Sequence, residues 1–416
     1  MTADVLDLIP SDLRAEAAAL DAADSLASYR DRFVQSPGVV AYLDGNSLGR
    51  PLTTTRESLC RFVDGEWGDR LIRSWNESWM ERPTAIGDLL GRVALGAAAG
   101  QTVIGDSTTV MLYKLLRASV AGQPGRTEIV ADTENFPTDR YIVESVAAET
   151  GLRVSWLDPE PASGVRLEDV EAVVSERTAV VLLSHTAYKS AYVADMAAIT
   201  AAVHGVGALV VWDLCHSAGA LELELDALDV DIAVGCTYKY LNGGPGAPAF
   251  GYVATRLQER LTQPITGWMG HAAPFEMGPT YEPATGIRRF LSGTPPILGM
   301  LPLSDMLALL EQAGMPAVRA KSVALTEFAV AVADRVLAPA GVVVASPRDP
   351  AFRGGHVLLE HERMETVVAQ LWERGVIPDF RRPHGLRAGL SPLSTSFAEL
   401  LAAMAHVLDA LDAERG

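Results

Sequence analysis

Between residues 127 and 253, short continuously apolar runs alternate with amphipathic ones. TEIVAD (127–132) precedes the helix-periodic RYIVESVAAET, and LRVSWLD follows. TAVVLLSH (178–185) precedes MAAITAAVHGVG, then come ALVVWDLCHSAGA, DIAVGCTYKY and PAFGYVAT. Apolar runs of strand length with no polar alternation predict strands buried on both faces. Their alternation with helices predicts an α/β fold with a mostly parallel central sheet. Polar residues gather where the runs stop: Asp132, Ser184 with His185, Asp213 with His216, and Lys239. Ligands of open α/β sheets bind beyond the carboxyl ends of the strands, so these positions are expected to converge on one crevice.

Beyond about residue 300 the pattern changes. A long helical region (306–337) leads to GVVVASP, HVLLEHE, a helix around METVVAQLWERG, then VIPDF, GLRAGLSP and a final amphipathic helix. This predicts a smaller α+β unit. The first forty or so residues are helical and alanine-rich and are expected to pack on it. The resulting division is an N-terminal helical segment (1–45), a large domain (46–300) and a small C-terminal domain (301–416).

At 416 residues the chain is long enough for a large core. Its formal charge of −18 argues against nucleic acid or an anionic membrane as partner, so an anionic ligand must be held by local donors. Cys60, Cys215 and Cys236 are too few and too scattered for a disulfide framework or a zinc site, and no metal is expected. The opening MTADVLDLIPSDLR lacks the basic and apolar regions of a secretory signal, and no apolar run reaches membrane-spanning length. A cytoplasmic placement is the expectation.

Lysine occurs only at positions 114, 189, 239 and 321; every other basic residue is arginine. Unlike arginine, lysine gives up its proton readily when desolvated. Lys114 and Lys321 lie in helical contexts where a solvated amine is ordinary, and Lys189 carries no signal of its own. Lys239 differs. It stands between Tyr238 and Tyr240 at the end of an apolar strand, followed by LNGGPG. Asp213 ends the preceding strand. A carboxylate and a lysine on neighbouring strand ends suit pyridoxal phosphate, whose aldehyde condenses with lysine and whose ring nitrogen pairs with an acid. Ser107, Thr108 and Thr109, just before a helix, offer donors for the phosphate. Phe136 in TENFPTDR offers a face for the ring.

Seven segments then resemble bacterial kynureninase, a fold-type-I pyridoxal-phosphate hydrolase of the class V aminotransferase-like group. They are YLDGNSLG (42–49), DRLIRSWN (69–76), ENFPTD (134–139), WDLCHSAGA (212–220), GCTYKYLNGGPG (235–246), GWMGH (267–271) and SGTPPI (292–297), in the family's order. The resemblance implies cleavage of L-kynurenine to anthranilate and L-alanine. It implies that Lys239 binds the cofactor and moves protons, that Asp213 pairs with the ring nitrogen, and that Tyr238 donates to the phosphate and acts as an acid. Phe136, Asp139, Ser184, His216, Thr108 and Thr109 would complete the cofactor site. Trp268 and Thr294 would reach the partner's phosphate, which implies a homodimer. Arg387 would clamp the substrate carboxylate, with Trp75 and Asn46 on the substrate side. Gly293 and Thr294 stand where animal enzymes carry a more polar pair, which favours L-kynurenine over 3-hydroxykynurenine. A cysteine desulfurase or selenocysteine lyase is the alternative within the same group.

Overall fold

The computed structural model describes residues 5–413. The first four residues of the expected N-terminal segment and the last three of the C-terminal unit lie outside the described residues. Among the described residues twelve strands form two sheets: β1 (Ala41–Leu43), β2 (Thr102–Gly105), β3 (Glu128–Asp132), β4 (Arg153–Leu157), β5 (Thr178–Ser184), β6 (Leu209–Asp213), β7 (Ile232–Gly235), β8 (Ala249–Val253), β9 (Val343–Val344), β10 (His356–Glu360), β11 (Val376–Arg381) and β12 (Gly385–Gly389).

The larger sheet has the order β2-β8-β7-β6-β5-β3-β4. Strands β4, β3, β5, β6 and β7 run parallel, while β8 is antiparallel to both β7 and β2. Alternate residues of each strand feed two cores. Val180, Leu182, Val211 and Val234 point to the helices Thr108–Ala121 and Pro137–Thr150. Val181, Leu183, Val210 and Trp212 point to the opposite face, where Met196–Gly205 and Ile297–Ala313 pack. This two-sided burial is why the strands read as unbroken apolar runs.

The smaller sheet has the order β1-β11-β12-β10-β9. Its core takes Ile9, Leu13 and Ala17 from the stretch that leads into and forms the N-terminal helix Ser11–Ala23, and Phe397, Leu400 and Met404 from the C-terminal helix Phe397–Ala413. Leu26 and Phe33 join the core of the larger sheet instead, so the N-terminal segment straddles both units. The helix Ile297–Ala313 also belongs to the larger core, as does Val318, whereas Leu325 packs in the smaller one. The packing therefore divides within the helix Met315–Val332, some twenty residues after the division expected from sequence.

Two lysines differ from expectation. Lys114 has no exposed surface, and Lys321 is 6% exposed with its Nζ 2.6 Å from Asp24 Oδ2. Both are buried and paired, not solvated. Among the described residues no helix is long and apolar enough to cross a membrane.

Candidate active site

The parallel strands deliver their carboxyl ends to one cavity. Ser184 ends β5, Asp213 ends β6, and Lys239 follows β7 by four residues. The helix Thr108–Ala121 points its N-terminus at the same place. Ser107 caps it, accepting from the Val110 N–H at 3.4 Å, which leaves the N–H groups of Thr108 and Thr109 free of partners within the helix. Phe136 immediately precedes the helix Pro137–Thr150, whose first turn holds Asp139. Thr108, Thr109, Phe136, Asp139, Ser184, Asp213, His216, Tyr238 and Lys239 all line this one cavity. Nine of the expected site residues are thus brought together.

Lys239 Nζ lies 3.0 Å from His216 Nε2 and 5.8 Å from the centre of the Phe136 ring. Burial, and then the lysine's charge, push His216 well below the usual imidazole range, so it faces Lys239 as a neutral acceptor. Asp213 accepts from the Cys215 N–H at 2.7 Å. Burial, followed by the neighbouring Asp213 carboxylate, drives Asp139 well above the usual carboxyl range. Asp139 therefore keeps its proton to higher pH than an ordinary aspartate does. Burial also raises the Tyr238 phenol, which stays protonated at neutral pH. Ser184 donates to Asn135 Oδ1 at 2.7 Å.

These residues fit pyridoxal phosphate. Asp139 Oδ2, Asn135 Nδ2 and His216 Nδ1 are buried without partners, which marks a polar space that asks for a ligand. A helix N-terminus stands at one end for the phosphate, a carboxylate for the ring nitrogen, an aromatic face beside them, and an amine for the aldehyde.

Arg387 lies on β12, is 1% exposed, and does not line the cavity. Its Nη1 donates to the Tyr188 carbonyl at 2.6 Å, and its Nη2 to Asp379 Oδ2 at 2.6 Å and Ser47 Oγ at 2.7 Å. Nε has no partner. Tyr188 joins the two regions, because it also lines the cavity and packs edge-on to Phe136 with centres 5.4 Å apart. Asn46 is wholly buried with both amide atoms unpartnered, and packs so closely on Gly389 that a Cβ there would collide with it. Trp75, Trp268 and Thr294 form a separate group. The two indole rings meet edge-on at 5.3 Å, and Trp268 Nε1 donates to Thr294 Oγ1 at 3.3 Å. Within one subunit none of these three lines the Lys239 cavity.

Sequence reasoning missed Tyr188, Asp379 and Ser47. Asp379 was recoverable in part: it sits in VIPDF, one hairpin before GLRAG, and pairs with Arg387 across strands. It also missed why YLDGNSLG matters to the lysine. The Gly49 N–H donates to the Tyr238 carbonyl at 2.8 Å, and a Cβ on Gly49 would stand 2.5 Å from the Lys239 carbonyl oxygen.

Two family models match the chain: "Aminotransferase class-V" over residues 95–350 and "Kynureninase C-terminal domain" over 318–407. A kynureninase of Pseudomonas fluorescens is 41% identical over 407 residues, covering 96% of this chain and 95% of the relative. One from Burkholderia pseudomallei (strain 1106a) is 42% identical, covering 96% of each. The chain belongs to the kynureninase family.

Among solved structures, a cysteine desulfurase from Thermococcus onnurineus superposes with a TM-score of 0.78 at 16% identity, over 90% of this chain and 95% of the other. One from Escherichia coli gives 0.78 at 19% identity, over 94% and 99%. The kynureninase-family chain therefore has the fold-type-I architecture, and the family's cofactor is pyridoxal phosphate, as the residues themselves suggest. Likeness in fold does not extend to the desulfurase chemistry. Cys215 lines the cavity but is buried in its wall against Cys236, whose N–H donates to Cys215 Sγ at 3.2 Å, and exposed Cys60 lies on the helix Thr55–Arg61 away from the cavity.

Proposed function

We propose that the protein hydrolyses the Cβ–Cγ bond of L-kynurenine, consuming one water and releasing anthranilate and L-alanine, a step in tryptophan breakdown. One observation carries this reading: a lysine, a buried carboxylate, an aromatic face and a helix N-terminus share one cavity in a chain of the kynureninase family.

Pyridoxal phosphate, when bound, supplies an electron-accepting ring conjugated to the substrate amine. The residues of the chain do the rest. Lys239 would bind the cofactor aldehyde, and its Nζ would accept and hold the proton from the substrate Cα. Neutral His216 holds that Nζ in place through the 3.0 Å contact. Asp213 would pair with the ring nitrogen and keep it protonated, with Asp139 buried beside it. Thr108 and Thr109 hold the phosphate at the helix N-terminus, Phe136 covers the ring, and Ser184 lines the pocket. Tyr238, protonated at neutral pH, hydrogen-bonds the phosphate and is the acid at the carbonyl oxygen or β-carbon. Arg387 takes the α-carboxylate through its planar fork, with Asn46 and Trp75 on the substrate side.

Trp268 and Thr294 stand apart from their own cavity and belong to the partner's phosphate site, so the working unit is a homodimer in the cytoplasm. In this reading the cofactor domain bears the seven-stranded sheet, and the smaller domain bears the carboxylate clamp. Gly293 and Thr294, less polar than the pair in the animal enzymes, favour L-kynurenine over its 3-hydroxy form.

The test is anthranilate fluorescence after cofactor-loaded protein meets L-kynurenine. Release that vanishes in Lys239→Ala supports the reading. No release from protein that has taken up cofactor would overturn the substrate assignment.

A further inference from the structure

The proposed reaction gives Lys114 no role, yet it is the more heavily committed of the two buried lysines. It sits nearly two turns into the helix Thr108–Ala121, with no exposed surface. Its ammonium donates to Asp106 Oδ2 at 2.5 Å, to the Phe290 carbonyl at 2.5 Å and to Ser292 Oγ at 3.1 Å. All three donors are used. Desolvation lowers the lysine pKa, and the Asp106 carboxylate beside it opposes that shift.

What those partners hold is the point. Asp106 has φ +50°, a left-handed conformation unusual for a residue with a side chain, and it immediately precedes Ser107, Thr108 and Thr109. On the other side, the Ser292 carbonyl accepts from the Met269 N–H at 3.1 Å. Gly267 and Gly270 press against the backbone of Ser292 and Leu291 so closely that neither could carry a Cβ. Trp268 is held between those two glycines, and Thr294 follows Ser292 by two residues. One ammonium thus ties the turn at the cavity's helix N-terminus to the segment that carries the Trp268–Thr294 pair.

We infer that Lys114 is a positioning residue for the cofactor phosphate at two sites. Through Asp106 it fixes the Ser107–Thr109 turn of its own subunit. Through Phe290 and Ser292 it fixes the Trp268–Thr294 pair offered to the partner. The inference rests on the proposed placement of the phosphate at that helix N-terminus. It adds a residue that touches neither cofactor nor substrate.

The experiment titrates the apoprotein with pyridoxal phosphate and, separately, with pyridoxal, which lacks the phosphate. Bound ligand is read from its absorbance, well below the thermal midpoint of each variant. In Lys114→Met the dissociation constant for pyridoxal phosphate rises roughly ten-fold or more, the scale of a lost charged hydrogen bond. That for pyridoxal stays as in wild type. Equal pyridoxal-phosphate constants in wild type and variant, or an equal loss for both ligands, would overturn the inference. Should Lys114→Met not fold, Asp106→Asn at its quarter-exposed position carries the same comparison with the same outcomes. Wild-type protein that takes up no pyridoxal phosphate would instead overturn the proposed function.

Discussion

Lys239 Nζ lies 3.0 Å from Nε2 of His216, and the imidazole that meets it is neutral. Burial prevents His216 from competing as a second cation, so the lysine has an acceptor rather than a rival. With Nε2 accepting, the ring proton is on Nδ1, which has no protein partner.

Replacing His216 by phenylalanine keeps the ring and removes the acceptor. Turnover is expected to fall roughly 10- to 100-fold, the scale of a hydrogen bond to a charged group, with cofactor uptake falling less. Steady-state anthranilate release and absorbance titration read the two effects apart. Unaltered turnover would show that Nζ needs no such acceptor.

Much of the fold was legible because burial on both faces leaves an unambiguous run of apolar residues, as in VVLL before Ser184 and LVVW before Asp213. The direction of β8 was not, since a strand buried on both faces reads the same parallel or antiparallel. The strand-end rule found Asp213 and Lys239 because their chemistry lies on the chain next to the strands that place them. Lys114 escaped the same reading. Its neighbours in YKLLRA are those of any amphipathic helix, and its burial is set by Phe290 and Ser292, which lie far along the sequence. Gly49 was legible only through resemblance; the reason for it, a close approach to the Lys239 carbonyl, is a tertiary contact.

Asp132 makes stability pH-dependent in a direction that can be worked out. Burial, then the Glu134 carboxylate, raise its carboxyl to about 7, against 3.8 for an ordinary aspartate. The folded protein therefore binds a proton more tightly than the unfolded chain. The associated stability is complete below about 3.8 and is lost as pH rises through about 7. Asp132→Asn has no such proton to lose. Between pH 5 and pH 8 the apoprotein variant is expected to gain about 3 kcal/mol relative to wild type, measured by denaturant unfolding at both values. A difference that does not change with pH would mean the acid is ionised throughout.

Arg387 is separated from the cofactor cavity but joined to it through Tyr188. Burial and the nearby Arg381 pull its guanidinium down to about 10, low for arginine yet still charged at neutral pH. A lysine there keeps the charge and loses the planar fork that reaches Tyr188, Ser47 and Asp379 together. Arg387→Lys is expected to raise the KM for kynurenine about ten-fold or more while leaving pyridoxal-phosphate affinity within about two-fold. A change confined to cofactor affinity would remove Arg387 from the substrate side.

The dimer reading has an arithmetic consequence. If Trp268 serves the partner's site, Lys239→Ala and Trp268→Ala subunits each form impaired homodimers. Their mixture, however, contains hybrids in which one site draws Lys239 from one chain and Trp268 from the other, both intact. The second site of each hybrid carries both lesions. Random reassortment of equal amounts makes half the dimers hybrid, so the mixture is expected to recover roughly a quarter of wild-type activity. If Trp268 instead served its own subunit, every site would carry one lesion and mixing would restore nothing. Activity of the unfolded, co-refolded mixture, compared with that of each variant treated alone, separates the two arrangements. The geometry behind the expectation is the 3.3 Å bond from Trp268 to Thr294, made outside the cavity that holds Lys239 in the same chain.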